Sequence, residues 1–142
     1  MLGRLVIALV LAGPALADEA TGDLKKMIGT WEPTSYTTDG KKWDEKDLKT
    51  VKLVIKGVGE NELVQGDKTF HATYKLDESA SPKTIDVTRT RGADKGKKRL
   101  GIYELKGDTL RLCVGPVGGA RPTKFASEAG SGVWMEVWKR VK

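Results

Sequence analysis

The amino-acid sequence predicts an all-β protein: a single antiparallel up-and-down β-barrel of about eight strands, entered through a short N-terminal helical turn. Three observations lead there. Apolar and polar residues alternate with a period of two in successive short runs, Gly and Asp pairs separate those runs at hairpin spacing, and no long helical periodicity follows the N-terminal apolar stretch. One dry and one wet face per strand is the pattern of an antiparallel sheet wrapped around one core. Eight short strands suit a barrel or a sandwich, and closure into a barrel leaves a small protein without sheet edges.

The chain opens with Arg4 and an apolar run from Leu5 to Ala12, followed by Ala15-Leu16-Ala17 with small residues at the two positions signal peptidase reads. That run is too short for a permanent membrane span, which needs roughly 20 apolar residues. Residues 1–17 are therefore expected to be a signal peptide, and residues 18–142 one exported domain, periplasmic or extracellular, with no membrane span of its own. Helical turns are expected near 22–27 and 44–48, where charged residues flank isolated apolar ones. Strands are expected at 29–38, 51–57, 62–66, 68–77, 83–90, 99–106, 109–114 and 133–140. Asp39-Gly40, Gly66-Asp67 and Gly107-Asp108 are tight hairpin signals, while 79–82 and 115–122 read as longer loops. Alternation points Phe70, Tyr74, Leu76, Ile85, Val87, Ile102, Leu110, Leu112, Met135 and Val137 inward. It turns Arg111, Cys113, Trp134, Glu136 and Trp138 to the other face.

Composition removes most catalytic constellations. With 142 residues the chain is expected to form one domain, and its single Cys and single His exclude an intrachain disulfide, a Cys-rich zinc site and His-pair metal chemistry. Gly130-Ser131-Gly132 lacks the spacing of a nucleophile elbow. The segment 92–98 is one residue short of a phosphate loop and carries Lys98 where Ser or Thr would bind magnesium. Asp39, Asp44, Glu45 and Asp47 miss the spacing of a calcium loop. No metal or cofactor is expected. Cys113 reads as a half-buried strand thiol, with an intermolecular disulfide or a reactive thiol as the alternatives, and His71 as a structural residue on the polar face.

Charge is concentrated. The net charge is +6, and loss of Arg4 with the signal leaves +5. Arg89, Arg91, Lys95, Lys97, Lys98 and Arg99, opposed only by Asp94, supply that whole surplus from one loop and its strand ends. Such a patch suits an anionic glycan, lipid headgroups or an acidic protein surface, or is simply a solvated loop. Nucleic acid is not expected, since no aromatics interleave the charges as stacking platforms.

Two segments carry a resemblance. Leu24-Lys25-Lys26-Met27-Ile28-Gly29-Thr30-Trp31 looks like the lipocalin opening, a helical turn followed by Gly-x-Trp, and the chain closes on Val137-Trp138-Lys139-Arg140. Together with Asp39-Gly40-Lys41, Tyr74-Lys75-Leu76-Asp77, Pro82-Lys83-Thr84-Ile85-Asp86, Gly101-Ile102-Tyr103-Glu104-Leu105, Gly107-Asp108-Thr109-Leu110, Leu112-Cys113, Arg121-Pro122 and Phe125-Ala126-Ser127, these make the chain similar to the uncharacterised lipocalin-like domain family of planctomycete-type bacteria. The resemblance covers almost the whole mature chain. It implies a lipocalin-like barrel and export, and assigns structural roles to Gly29, Trp31 and Arg140, with Arg140 packed over Trp31 to seal the barrel base. It implies no activity.

The function expected is therefore non-enzymatic: a monomeric exported barrel that binds a small apolar or amphipathic ligand. Phe70, Tyr74, Ile102 and Leu112 are the candidate interior contacts, with Arg121 and Lys124 in the long loop as candidates for gripping an acidic head group at the mouth. An eight-stranded barrel is either filled by its side chains or holds one small ligand, and alternation leaves that choice open. The alternative function is an interaction module that uses the basic 89–99 loop to hold an anionic glycan or protein partner, and a third is an activity that depends on Cys113 or His71.

Overall fold

A computed structural model describes residues 22–142; the expected signal peptide and its cleavage site lie outside the described residues. The elements in order are α1 (Gly22–Met27), β1 (Gly29–Thr38), β2 (Lys41–Lys42), α2 (Glu45–Leu48), β3 (Val51–Gly57), β4 (Glu60–Gln65), β5 (Lys68–Asp77), β6 (Thr84–Arg89), β7 (Lys98–Lys106), β8 (Thr109–Val114) and β9 (Trp134–Arg140). From β3 onward each strand pairs antiparallel with the next, and β9 returns to β1, so eight strands close a barrel to which β2 adds a short ninth. The expected bounds of β1, β3, β5 and β8 coincide with the observed ones, and the other four strands differ by one or two residues at an end. The two-residue β2 is too short to show a period.

β1 does most of the closing. It pairs with β3 only over Gly29, Thr30 and Trp31, and with β9 from Trp31↔Arg140 to Thr38↔Trp134. The ladder slips between Pro33 and Ser35, where proline has no N–H to give. Past that point β1 leaves β3, and α2, N-capped by Asp44 through the Asp47 N–H at 3.0 Å, fills in beside it.

One end of the barrel is plugged. Leu24 and Met27 of α1 are buried, and Met27 O accepts from Trp31 Nε1 at 2.9 Å. The Arg140 guanidinium lies 4.3 Å over the Trp31 ring and donates to Lys26 O and Ile28 O, so it satisfies carbonyls that the helix end leaves open. Gly29, at φ 143°, admits that guanidinium, since a Cβ there would meet Arg140 Nη1 at 2.9 Å. Asp23, also buried, accepts from Tyr103 Oη at 2.7 Å and Lys83 Nζ at 2.9 Å. Burial opposes its charge, but these two donors outweigh burial and hold the carboxyl below its usual range.

Register fixes which side chains enter. Tyr103↔Leu112↔Glu136 and Leu105↔Leu110↔Trp138 lie side by side on the inner face, and Ile102↔Cys113↔Met135 on the outer. Three inward expectations are thus corrected: Ile102, Met135 and Val137 point outward, and Trp134, Glu136 and Trp138 point in. Both faces of β9 carry apolar residues, so its period leaves the sign undetermined. An indole that buries roughly 150–250 Å² gains about 4–6 kcal/mol, more than Met or Val offers, and this favours the observed sign. Trp138 is fully buried.

The outer residues are covered because residues 115–133 fold back across β6 to β9. Ile102 and Cys113 are buried beneath them, and the Arg111 guanidinium stacks 4.1 Å over Phe125. Ser127 ties this segment to the β1–β2 turn, accepting from Gly40 N at 3.0 Å and donating to Val133 O at 2.6 Å. Gly40, at φ 80°, is required there, since a Cβ would stand 2.5 Å from Ala129 N.

Candidate functional site

The end of the barrel opposite α1 is its mouth. Four half-buried residues, Phe70, Arg89, Arg99 and Trp134, rim it, with Trp43 and Leu48 beside them. Arg89 and Arg99 are the inward residues at the loop ends of β6 and β7, where Arg89 pairs across with Ala72 and Arg99 with Val87. Each guanidinium lies on an aromatic face: Arg89 4.5 Å over Phe70, Arg99 4.3 Å over Trp134. Stacking of this kind holds a cation at a partly dry position without an anion.

Beneath the rim is a cavity of about 50 Å³, lined by Asn61, Tyr74, Leu112, Glu136 and both arginines among others. It has room for a few waters or one small polar group. The rest of the interior is close-packed, with Trp31, Trp138, Tyr103, Leu53, Ile85 and Leu110 fully buried. A larger groove of about 850 Å³ opens where β1 leaves β3, but it faces solvent between Glu32, Glu45, Lys49 and Lys52, a mixed rim with no convergent donors.

Two buried donors of the cavity have no partner among the described residues, Asn61 Nδ2 and Arg99 Nη1. Buried polar groups are nearly always satisfied, and a charged donor left alone is the costlier kind. Glu136 stands among them and is only 7% exposed. It accepts from Trp138 Nε1 at 2.8 Å, with the Tyr36 hydroxyl facing it as well. Burial pushes its carboxyl up to about 7 against the pull of Trp138, Tyr36, Arg99 and Arg89. Burial likewise lowers the Arg99 guanidinium, helped by neighbouring Arg89, and raises the hydroxyls of Tyr36 and Tyr74.

The residues expected to form a ligand site are dispersed. Tyr74 and Leu112 face the interior and line the cavity, while Phe70, on the same face of β5 as Tyr74, lies at the rim under Arg89. Ile102 lies on the outer face. Arg121 is not at the mouth: it clamps the outside of the barrel, its Nη1 donating to Gly101 O at 2.7 Å and Ile85 O at 3.2 Å and its Nη2 to Asp86 Oδ1 at 2.7 Å. Lys124 is exposed beside Glu128 at 3.3 Å, also away from the mouth. The basic set divides by alternation. Arg89 and Arg99 turn inward, whereas Arg91, Lys95, Lys97 and Lys98 remain exposed, with Lys97 paired to Asp94 at 3.1 Å. Asn61, Trp134 and Glu136 were not among the expected contacts. The signal for the last two was the aromatic spacing Trp134-x-Glu136-x-Trp138, which marks an inner face with a carboxyl at its centre.

The remaining reactive groups are enclosed or dispersed. Cys113 is buried, its thiol near Lys124 O at 3.4 Å and Ala126 O at 3.5 Å, and burial pushes it up. His71 Nδ1 stands 3.7 Å from Glu62 on the outer face. Among the described residues no group of three His, Cys, Asp or Glu could hold a metal ion, and no helix is long and apolar enough to cross a membrane. Comparison of the chain with family models, with curated proteins and with solved structures returned no match in any of the three.

Proposed function

We propose that this chain is an exported, non-catalytic, lipocalin-like barrel that binds a small amphipathic molecule at its mouth. The polar end of the ligand would enter the cavity under Arg89 and Arg99, and its apolar body would lie on the half-buried rings of Phe70, Trp43 and Trp134. The observation that carries this reading is the pair of buried, unpartnered donors, Asn61 Nδ2 and Arg99 Nη1, lining one cavity. A ligand acceptor would remove a desolvation penalty of about 1–3 kcal/mol for each donor. The small cavity argues for a polar head inside and a body outside, since about 50 Å³ cannot enclose a fatty chain.

Trp43 and Trp134 make the test direct. Titrating the protein with decanoate, decanol and decyltrimethylammonium should give saturable quenching of tryptophan fluorescence with at least one of them. Arg99→Met should weaken the binding of decanoate at least about tenfold, the loss of one charge-assisted contact. If none of the three saturates, the mouth is not a ligand site.

A further inference from the structure

Resting on the mouth reading above, we propose that the cavity beneath Arg89 and Arg99 is a carboxylate subsite, and that Glu136 takes up a proton from solvent as the ligand carboxylate enters. Three features of the geometry lead there. First, the unpartnered groups are donors, one of them cationic, so the cavity asks for an acceptor and not for an ammonium. Second, neither Arg89 nor Arg99 has an ion-pair partner within 4.0 Å among the described residues, and both lie on aromatic faces that leave their edges free to donate. A bidentate carboxylate matches such edges. Third, Glu136 lines this cavity of about 50 Å³, so a second carboxylate cannot enter without bringing two like charges together. Carboxylates sharing a site resolve this by holding a proton.

The surroundings of Glu136 settle where that proton goes. Tyr36 from β1, Tyr74 from β5, Arg89 from β6 and Arg99 from β7 are the titratable or charged groups that face it, while β3, β4 and β8 present Leu53, Asn61 and Leu112. The tyrosine hydroxyls are already protonated and the guanidiniums stay charged, so among the protein's groups only Glu136 can accept, and Glu136→Gln tells it from the ligand's own carboxylate. Protonated, it changes from a pure acceptor into a donor facing the ligand and leaves both guanidinium charges to the incoming carboxylate. Its raised position, about 7 before any ligand enters, makes the uptake accessible near neutral pH.

Calorimetric titration with decanoate in two buffers of different ionisation enthalpy counts the protons taken up. At about pH 8 the expected uptake approaches one proton per decanoate, and the apparent Kd should rise by up to about tenfold per pH unit above that. Decanol should bind at least about tenfold more weakly, because it leaves the cationic donor without an anion, and should take up no proton. In Glu136→Gln both the uptake and the pH dependence should vanish. Decanoate that saturates the site without proton uptake, or decanol that binds as tightly, overturns the inference and leaves the mouth reading standing; absence of saturable binding by every probe removes both. Should Glu136→Gln fail to fold, the wild-type proton count alone decides.

Discussion

Glu136 makes the barrel sensitive to pH, and the sign of the effect is opposite to ordinary acid denaturation. Its carboxyl sits at about 7 in the folded chain against an ordinary value of 4.5. Between those values the folded state binds a proton that the unfolded state has released. Folding stability therefore falls as pH rises through this window. At about 1.4 kcal/mol per pH unit, the full effect is about 3 kcal/mol, present below about pH 4.5 and lost above about pH 7. Carboxyls held low in the fold, such as Asp23 and Asp77, act in the other direction, but their contribution is lost only below their ordinary value of 3.8 and so lies outside the window.

The perturbation is Glu136→Gln, which keeps an oxygen to accept from Trp138 Nε1 and removes the titration. Urea unfolding of both proteins at several pH values from about 5 to 8 gives the difference in stability, and groups common to both cancel. The difference should move by about 3 kcal/mol in favour of Glu136→Gln as pH rises, or by roughly 10 °C in Tm for a domain of this size. Parallel curves across the whole range would refute the claim that Glu136 is buried and proton-bound in the fold.

Other perturbations separate structural roles from binding. Arg140→Ala removes the stack on Trp31 and the donors to Ile28 O and Lys26 O, and should destabilise the chain by roughly 2–4 kcal/mol in urea unfolding. Arg121→Met strips a charged donor from two backbone carbonyls and Asp86, and should cost roughly 1.5–3 kcal/mol while leaving decanoate affinity unchanged. Cys113 in the native protein should react with a thiol reagent at least about a hundredfold more slowly than in urea, as a buried, raised thiol does. Gly40→Ala should partly restore that reactivity by pushing residues 115–133 off the barrel, read as faster labelling of Cys113 under native conditions.

Most of the barrel was legible because its strands bury one face. Where alternation sorts cleanly, as in Ala72, Tyr74 and Leu76 against Thr73, Lys75 and Asp77, strand bounds and inner residues follow from the period alone. The misreadings of strand face share one cause. β7, β8 and β9 are covered on the outside by residues 115–133, so Ile102 and Cys113 are buried there too and the period no longer tells inside from outside. The site was harder to read than the fold for a related reason. A run of six cations reads as a solvated loop, yet alternation continues into both strand ends and turns Arg89 and Arg99 onto aromatic rings. Their partners Phe70 and Trp134 lie 19 and 35 residues away along the chain, beyond any local pattern.

The position of Glu136 also bears on why the interior is not simply filled. Above about pH 7 the fold loses the stabilisation that the proton on this carboxyl supplies, and beside it two donors stay unpaired among the described residues. A barrel under no demand but folding would hold a neutral acceptor such as Gln at position 136, where Trp138 Nε1 still finds an oxygen, and no unpartnered guanidinium edge at position 99. Side chains that cost stability in a protected interior, clustered about one cavity and reached through one rim, are where selection for binding and selection for folding part company. Glu136→Gln therefore has two expected outcomes that belong together: a stability that no longer falls through this group as pH rises toward about 7, and a carboxylate site whose affinity no longer answers to protons. A variant that lost this fall in stability yet kept proton-linked binding would place the titrating group elsewhere in the mouth, and Glu136 would then be a packing fault and not part of the site.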